Sequence, residues 1–252
     1  MWDVTFSGLK KIQEPETGDP SSTLYDPHFT PDGRHLVLRC PRSNLRIFDT
    51  RTWKRVETLA EVPPDAIQFL PAKSWRLAIV LSKTGVVSLW NPKQKIATEL
   101  DKDVTLTAAA FSPDESQVAV ATAENDGYSK PRLRIFSTDT GKLLHRLRPY
   151  EGAVSEKFRF PLWTPDGRYL LAVTKSHPVF TSEGISIWNA KAGRHRGELT
   201  GCPTHINGVA LLSNSETLVA GCNDGHIRFW DFTAALKQIA TFEQSLDEGA
   251  GE

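Results

Sequence analysis

One short pattern returns five times along the chain and restricts its fold more than any other feature. It is a strand of alternating residues that ends in an aromatic followed by a small polar residue. The copies read Leu45-Arg46-Ile47-Phe48-Asp49, Val87-Ser88-Leu89-Trp90-Asn91, Leu133-Arg134-Ile135-Phe136-Ser137, Ile185-Ser186-Ile187-Trp188-Asn189 and Ile227-Arg228-Phe229-Trp230-Asp231. A truncated sixth copy, Trp2-Asp3, stands at the start. Counted from Trp2, these aromatics are separated by 46, 42, 46, 52 and 42 residues.

A second pattern keeps step with the first. An apolar strand closes on an aromatic and a tight turn: His28-Phe29-Thr30-Pro31-Asp32-Gly33, Gln68-Phe69-Leu70-Pro71-Ala72-Lys73, Ala110-Phe111-Ser112-Pro113-Asp114-Glu115 and Leu162-Trp163-Thr164-Pro165-Asp166-Gly167. Ala210-Leu211-Leu212-Ser213-Asn214-Ser215 is a degenerate copy. Proline presets φ in such a turn, aspartate bonds back to the main chain, and glycine accepts positive φ. The strands that follow, such as Leu36-Val37-Leu38 and Tyr169-Leu170-Leu171-Ala172-Val173, are apolar on both faces and suit burial between neighbouring sheets. A four-strand unit with a period of about 40–45 residues is the signature of an all-β propeller. We expect each closing aromatic to pack against the next blade.

These residues resemble the WD40 family, whose repeat ends in Trp-Asp and carries Gly-His before its first strand. The resemblance covers roughly Trp2 to Ile239. Only Trp2-Asp3 and Trp230-Asp231 keep the literal pair, and Gly-His is missing from its place. The family's hydrogen-bonded tetrad of His, Ser/Thr, Asp and Trp falls in the last repeat on Cys202, Ala220, Asp224 and Trp230. Two polar members are lost there, so stacking has to replace the tetrad. The implied fold is a WD40-type β-propeller with five full four-stranded blades at about 22–60, 61–101, 102–150, 151–200 and 201–243. A half blade precedes them at 1–20, and an acidic tail follows at 244–252. Residues 232–240 suit an outer strand or a helix equally well. Because a propeller normally closes, five and a half blades call for a complement. It comes from an upstream segment of a longer chain, from a thin sixth blade, or from another chain.

Composition narrows the function classes. Thirty Lys plus Arg balance thirty Asp plus Glu, so no net field draws the chain toward nucleic acid or an anionic membrane. The first residues lack a positive flank followed by an apolar run, so no signal peptide is expected; no long apolar run occurs, and Cys40, Cys202 and Cys222 lack metal-type spacing. The expectation is a cytoplasmic protein with these thiols reduced and serving as small core residues.

Catalytic patterns do not emerge. There is no Gly-x-Ser-x-Gly elbow, the seven histidines are scattered, and Thr140-Gly141-Lys142 reads as a hairpin turn. We expect neither cofactor nor metal, and no enzymatic activity. Arg46, Arg134 and Arg228 recur at one position of the closing strand, which marks an architectural role.

The insertions are more informative. The extra residues fall at Ala123–Pro131 and Lys175–Gly184, between second and third strands, and at Pro149–Lys157, between blades. In a propeller both connections emerge on the same face, and insertions gathered on one face mark a binding surface. Tyr128, Lys130, Tyr150, His177 and Phe180 are the candidate contacts, with the aromatics as anchors. The competing reading tucks Tyr150 and Phe180 under their own loops. Trp53 and Trp75 lie near turns on the opposite face, either as a second patch or as packing residues. The expectation is a protein-interaction scaffold that binds an unspecified protein partner. The alternatives are a regulatory or sensory segment of a larger signalling protein and a ligand-binding propeller. The apolar strands Leu77-Ala78-Ile79-Val80 and Val118-Ala119-Val120-Ala121 argue against a polar central site.

Overall fold

The computed structural model describes residues 25–30, 32–40, 44–56, 62–124, 131–148, 158–175, 183–212 and 216–238. Nineteen antiparallel strands among them form five sheets. The first holds β1 (Tyr25–Phe29), β2 (His35–Cys40), β3 (Asn44–Asp49) and β4 (Arg55–Val56). The second holds β5 (Ala66–Pro71), β6 (Ala78–Ser82), β7 (Val87–Asn91) and β8 (Ile96–Asp101). The third holds β9 (Val104–Phe111), β10 (Gln117–Glu124), β11 (Arg132–Ser137) and β12 (Leu143–Leu147). The fourth holds β13 (Arg159–Trp163), β14 (Tyr169–Lys175), β15 (Glu183–Asn189) and β16 (Arg194–Cys202), and the fifth β17 (Ile206–Leu211), β18 (Thr217–Cys222) and β19 (Ile227–Asp231).

Within each sheet the strands follow in chain order, each hairpinned to the last. This is the blade meander that the repeats imply, and the fold is a five-bladed β-propeller. The fifth sheet has three strands among the described residues, and residues 232–238 form a helix, α1, where the sequence left strand and helix open. The proposed half blade at 1–20 lies outside the described residues.

The chain divides into two compact units, Met1–Lys83 with Trp90–Ile96 and Thr84–Leu89 with Ala97–Glu252. In the first, Val37 and Ile47 of the first sheet pack on Phe69, Ala78 and Val80 of the second. In the second unit two such cores repeat the arrangement. Leu133 and Ile135 meet Phe158, Trp163, Leu170 and Trp188, while Ile185 and Ile187 meet Ile206, Leu218 and Ala220.

The closing aromatics correct one expectation. Trp188 shares its core with Ala119, Leu133 and Ile135 of the preceding sheet, and Trp230 packs with Ile185 and Ile187 of the sheet before its own. They face the previous blade, not the next. The alternation of the strand explains the reversal: Ile185 and Ile187 take the forward face, so Trp188 is left with the rear one.

The turns repeat in atomic detail. Thr30, Ser112 and Thr164 donate their hydroxyls to Asp32, Asp114 and Asp166 at 2.7, 2.6 and 2.5 Å. Each hydroxyl accepts a main-chain N–H five residues on, from His35, Gln117 and Tyr169, at 3.0 Å. The carboxylates accept in turn from the main chain of Arg34, Ser116 and Arg168. The residue after the aspartate is left-handed: Gly33 (φ 68°), Glu115 (φ 58°) and Gly167 (φ 68°), with Trp75 (φ 57°) in the second sheet. A second left-handed position closes the hairpin between third and fourth strands, occupied by Trp53, Lys95, Gly141 and Gly193. Gly141 of this series is a simple turn residue, as its hairpin context implied.

The expectation of reduced thiols is overturned at two positions, although both side chains do lie in the core. Cys202, at the end of β16, and Cys222, at the end of β18, form a disulfide with Cα atoms 6.6 Å apart. They come from neighbouring sheets and meet in the core that those sheets share, over a sequence separation of 20, a proximity that spacing alone does not reveal.

Candidate interaction face

In the second unit, the antiparallel register places three interrupted connections at one end of their sheets. β10 ends at Glu124 and β11 begins at Arg132; β14 ends at Lys175 and β15 begins at Glu183; β12 ends at Leu147 and β13 begins at Arg159. The five candidate contacts, Tyr128, Lys130, Tyr150, His177 and Phe180, fall in these connections and lie outside the described residues. The structure does describe what the loops spring from.

Two largely buried carboxylates sit towards this end of the sheets. Asp101, at the end of β8, pairs with Arg134 of β11, accepts from the Thr122 hydroxyl at 3.2 Å, and lies 3.7 Å from Arg132. Arg134 also donates to Thr122 at 3.2 Å. The cluster joins the outer strand of one sheet to β10 and β11 of the next, towards the end at which β10 stops and β11 starts. Glu183, only 8% exposed, pairs with Arg159 of β13, meets His205 Nδ1 at 3.0 Å, and accepts the Ile206 N–H at 2.6 Å. It ties the fourth sheet to the fifth at the start of β15. A buried carboxylate needs this saturation of partners, because an unpaired one would be strongly destabilising.

The recurring arginines do differ in partner. Arg134 reaches across sheets to Asp101, whereas Arg228 forks onto Asp224 of its own hairpin at 3.0 and 2.6 Å. That guanidinium holds the Asp224 carboxyl well below the ordinary carboxylate range. In the fourth sheet Ser186 takes the place, buried and 2.7 Å from the Thr174 hydroxyl. The architectural reading of these arginines holds for Arg134 and Arg228. Sequence reasoning missed Asp101 and Glu183; the recurrence of Arg134 was the only signal pointing toward a carboxylate partner.

At the opposite end of the same unit, a cleft of about 460 Å³ lies between the fourth sheet's first turn and α1. Pro165, Tyr169, Phe232 and Leu236 give it apolar walls, and Asp166, Arg168, Glu216 and Lys237 a charged lining. In the first unit, Trp75 tilts against Phe69 with ring centroids 5.4 Å apart, and Trp53 packs on the cluster of Leu36, Leu38 and Phe48. Both are half-buried, so packing accounts for them.

The family model described as WD domain, G-beta repeat matches residues 193–231, ending on Trp230-Asp231. No curated protein matches the chain. Five meander sheets and this match identify a β-propeller that carries a WD40 repeat. The matched segment begins at Gly193 and takes in β16 together with β17–β19, so one repeat straddles two sheets. Among the described residues no helix is long and apolar enough to cross a membrane.

Proposed function

We propose that this propeller is a non-catalytic scaffold that binds a protein partner through the insertions at 125–130, 149–157 and 176–182. Tyr128, Tyr150 and Phe180 act as apolar anchors, and Lys130 and His177 as polar contacts. The observation that supports this reading most directly is the pair of largely buried carboxylate clusters towards the loop end of the sheets. Asp101 with Arg134, and Glu183 with Arg159 and the Ile206 N–H, tie strands that those loops join. A loop whose ends are fixed loses less entropy when a partner orders it. The balanced charge favours a protein over a nucleic acid.

The test is capture from the native cell with wild-type protein and with Tyr128→Ala/Phe180→Ala as bait. A recurrent protein lost from the variant, with an unchanged unfolding transition, supports the scaffold. Equal recovery by both baits removes these residues from the interface. The cleft beside α1 favours a second reading, a ligand-binding propeller. A small molecule retained through purification and displaced by Leu236→Trp would establish it.

A further inference from the structure

Three residues, Pro203-Thr204-His205, join the fourth sheet to the fifth, and two kinds of bond hold that link in place. The first kind is polar. Glu183 accepts the Ile206 N–H at 2.6 Å and meets His205 Nδ1 at 3.0 Å, while the His205 carbonyl accepts the Asn223 N–H at 2.8 Å. The second is covalent. Cys202 immediately precedes the link, Cys222 immediately precedes Asn223, and their sulfurs are joined.

The register makes these bonds depend on one another. Cys202 lies opposite Glu183 in the β15–β16 pair, and Cys222 lies opposite Ile206 in the β17–β18 pair. The sulfur bridge therefore crosses the same seam as the Glu183 carboxylate. Ile206, Cys202 and Cys222 are 0%, 1% and 5% exposed in one apolar core. Any bonded sulfur pair is about 2 Å apart, whereas two free thiols need about 3.5–4 Å. A close-packed core does not absorb that difference in place, so it passes to the strand ends and the link they carry. Burial also disfavours the thiolate, so no charge arises there to draw a new partner.

Access comes from the Cys222 side. Cys222 opens a turn closed by its carbonyl, which accepts the Gly225 N–H at 3.1 Å, and by its N–H, which donates to the His226 carbonyl at 2.9 Å. Breaking these two bonds frees Cys222 while the strands of the third and fourth sheets stay paired.

We propose that Cys202 and Cys222 form a reversible thiol–disulfide switch, which seats the Pro203–His205 link on Glu183 when oxidised and releases it when reduced. The co-reactant is a dithiol. One of its thiolates attacks Cys222 Sγ, and the Cys202 sulfur leaves with the electron pair of the broken bond and takes a proton. The second thiol of the reductant then displaces Cys222, which also ends as a thiol, and the reductant departs as its own disulfide. The device lies wholly in the second unit and does not depend on what the insertions bind.

The purified full chain tests it in native buffer, with dithiothreitol followed by oxidised glutathione, and with Cys40→Ala so that this pair alone reacts. Alkylation and mass count the thiols, and hydrogen exchange reads the Ile206 and Asn223 amides against those of β9 and β10. Two thiols should appear without denaturant, and exchange at Ile206 and Asn223 should rise at least about tenfold while β9 and β10 keep their protection. Oxidation should restore the starting pattern, and Cys202→Ala/Cys222→Ala should exchange fast with or without reductant. If Cys40→Ala does not fold, wild type serves, with three thiols counted after reduction. A bond that yields only in denaturant, unchanged exchange at both amides after reduction, loss of β9–β10 protection along with them, or failure to reoxidise would overturn the proposal.

Discussion

The indole N–H of Trp188 donates to the main-chain carbonyl of Arg148, 2.8 Å away and forty residues earlier in the chain. Trp230 does the same to Thr200 at 3.0 Å. In each case the closing aromatic reaches back past its own sheet to the preceding outer strand. It thereby satisfies a carbonyl as well as filling a core. Trp188→Phe should keep most of the packing and leave the Arg148 carbonyl unmet, at about 1–2 kcal/mol. Trp188→Ala should lose about 3–5 kcal/mol. Denaturant midpoints for the two variants separate the hydrogen bond from the ring.

Asp101 and Arg134 are each close to fully buried. Asp101→Ala strands the guanidinium, and we expect a loss of about 3 kcal/mol, while Asp101→Leu/Arg134→Leu should be milder because no charge is left unpaired. Equal destabilisation in single and double variants, read by urea unfolding, would argue that the pair matters for packing alone.

The turn aspartates set an acid limit. Hydroxyl donation from Thr30 and Ser112 lowers Asp32 and Asp114. At Asp166 burial pushes upward but is outweighed by Thr164 and Arg168. A carboxyl whose folded value lies below its unfolded value of about 3.9 adds stability above that pH, and that stability fades as pH falls through the folded value. Unfolding midpoints should hold steady above about pH 5 and decline below pH 4. In Asp114→Asn/Asp166→Asn that decline should be shallower.

Within the first left-handed turn series, gaining and losing glycine should have opposite effects. Glu115 adopts φ 58° where Gly33 and Gly167 serve in other sheets. Glu115→Gly should leave stability unchanged or raise it by up to about 1 kcal/mol, whereas Gly167→Glu should lower it by about 1–2 kcal/mol. Gly141→Ala should be worse than its φ alone implies, because the new Cβ would lie 2.5 Å from the Thr98 methyl carbon. Thermal melts of the three variants rank them.

The disulfide predicts one titratable thiol, Cys40, in unreduced denatured protein. With its ends separated by 20 in sequence, its loss in Cys202→Ala/Cys222→Ala should cost about 3 kcal/mol. Three reactive thiols without reductant would contradict the bond.

What the sequence revealed, and what it hid, follow from the range of the interactions. The closing strands and Pro-Asp turns were legible because strand alternation and hydroxyl–carboxylate turns are local. The direction of Trp188 was not, since alternation sets it opposite Ile185 and Ile187 and only stacking tells which of the two faces looks forward. Asp101 and Glu183 were invisible because their partners lie on strands distant in sequence, and the Cys202–Cys222 contact arises only once the fourth and fifth sheets stack. Trp53 and Trp75 showed their distance from the closing strands, but not that they occupy sites where their sister turns use glycine. The five candidate contacts lie outside the described residues.

The stretch matched as a repeat begins with the last strand of one sheet and ends with the third strand of the next. Like courses of brick laid with staggered joints, the covalent unit bridges the seam between two structural ones. That repeat cannot melt without opening the fourth and fifth sheets at once, so these two should lose structure together in one sharp transition.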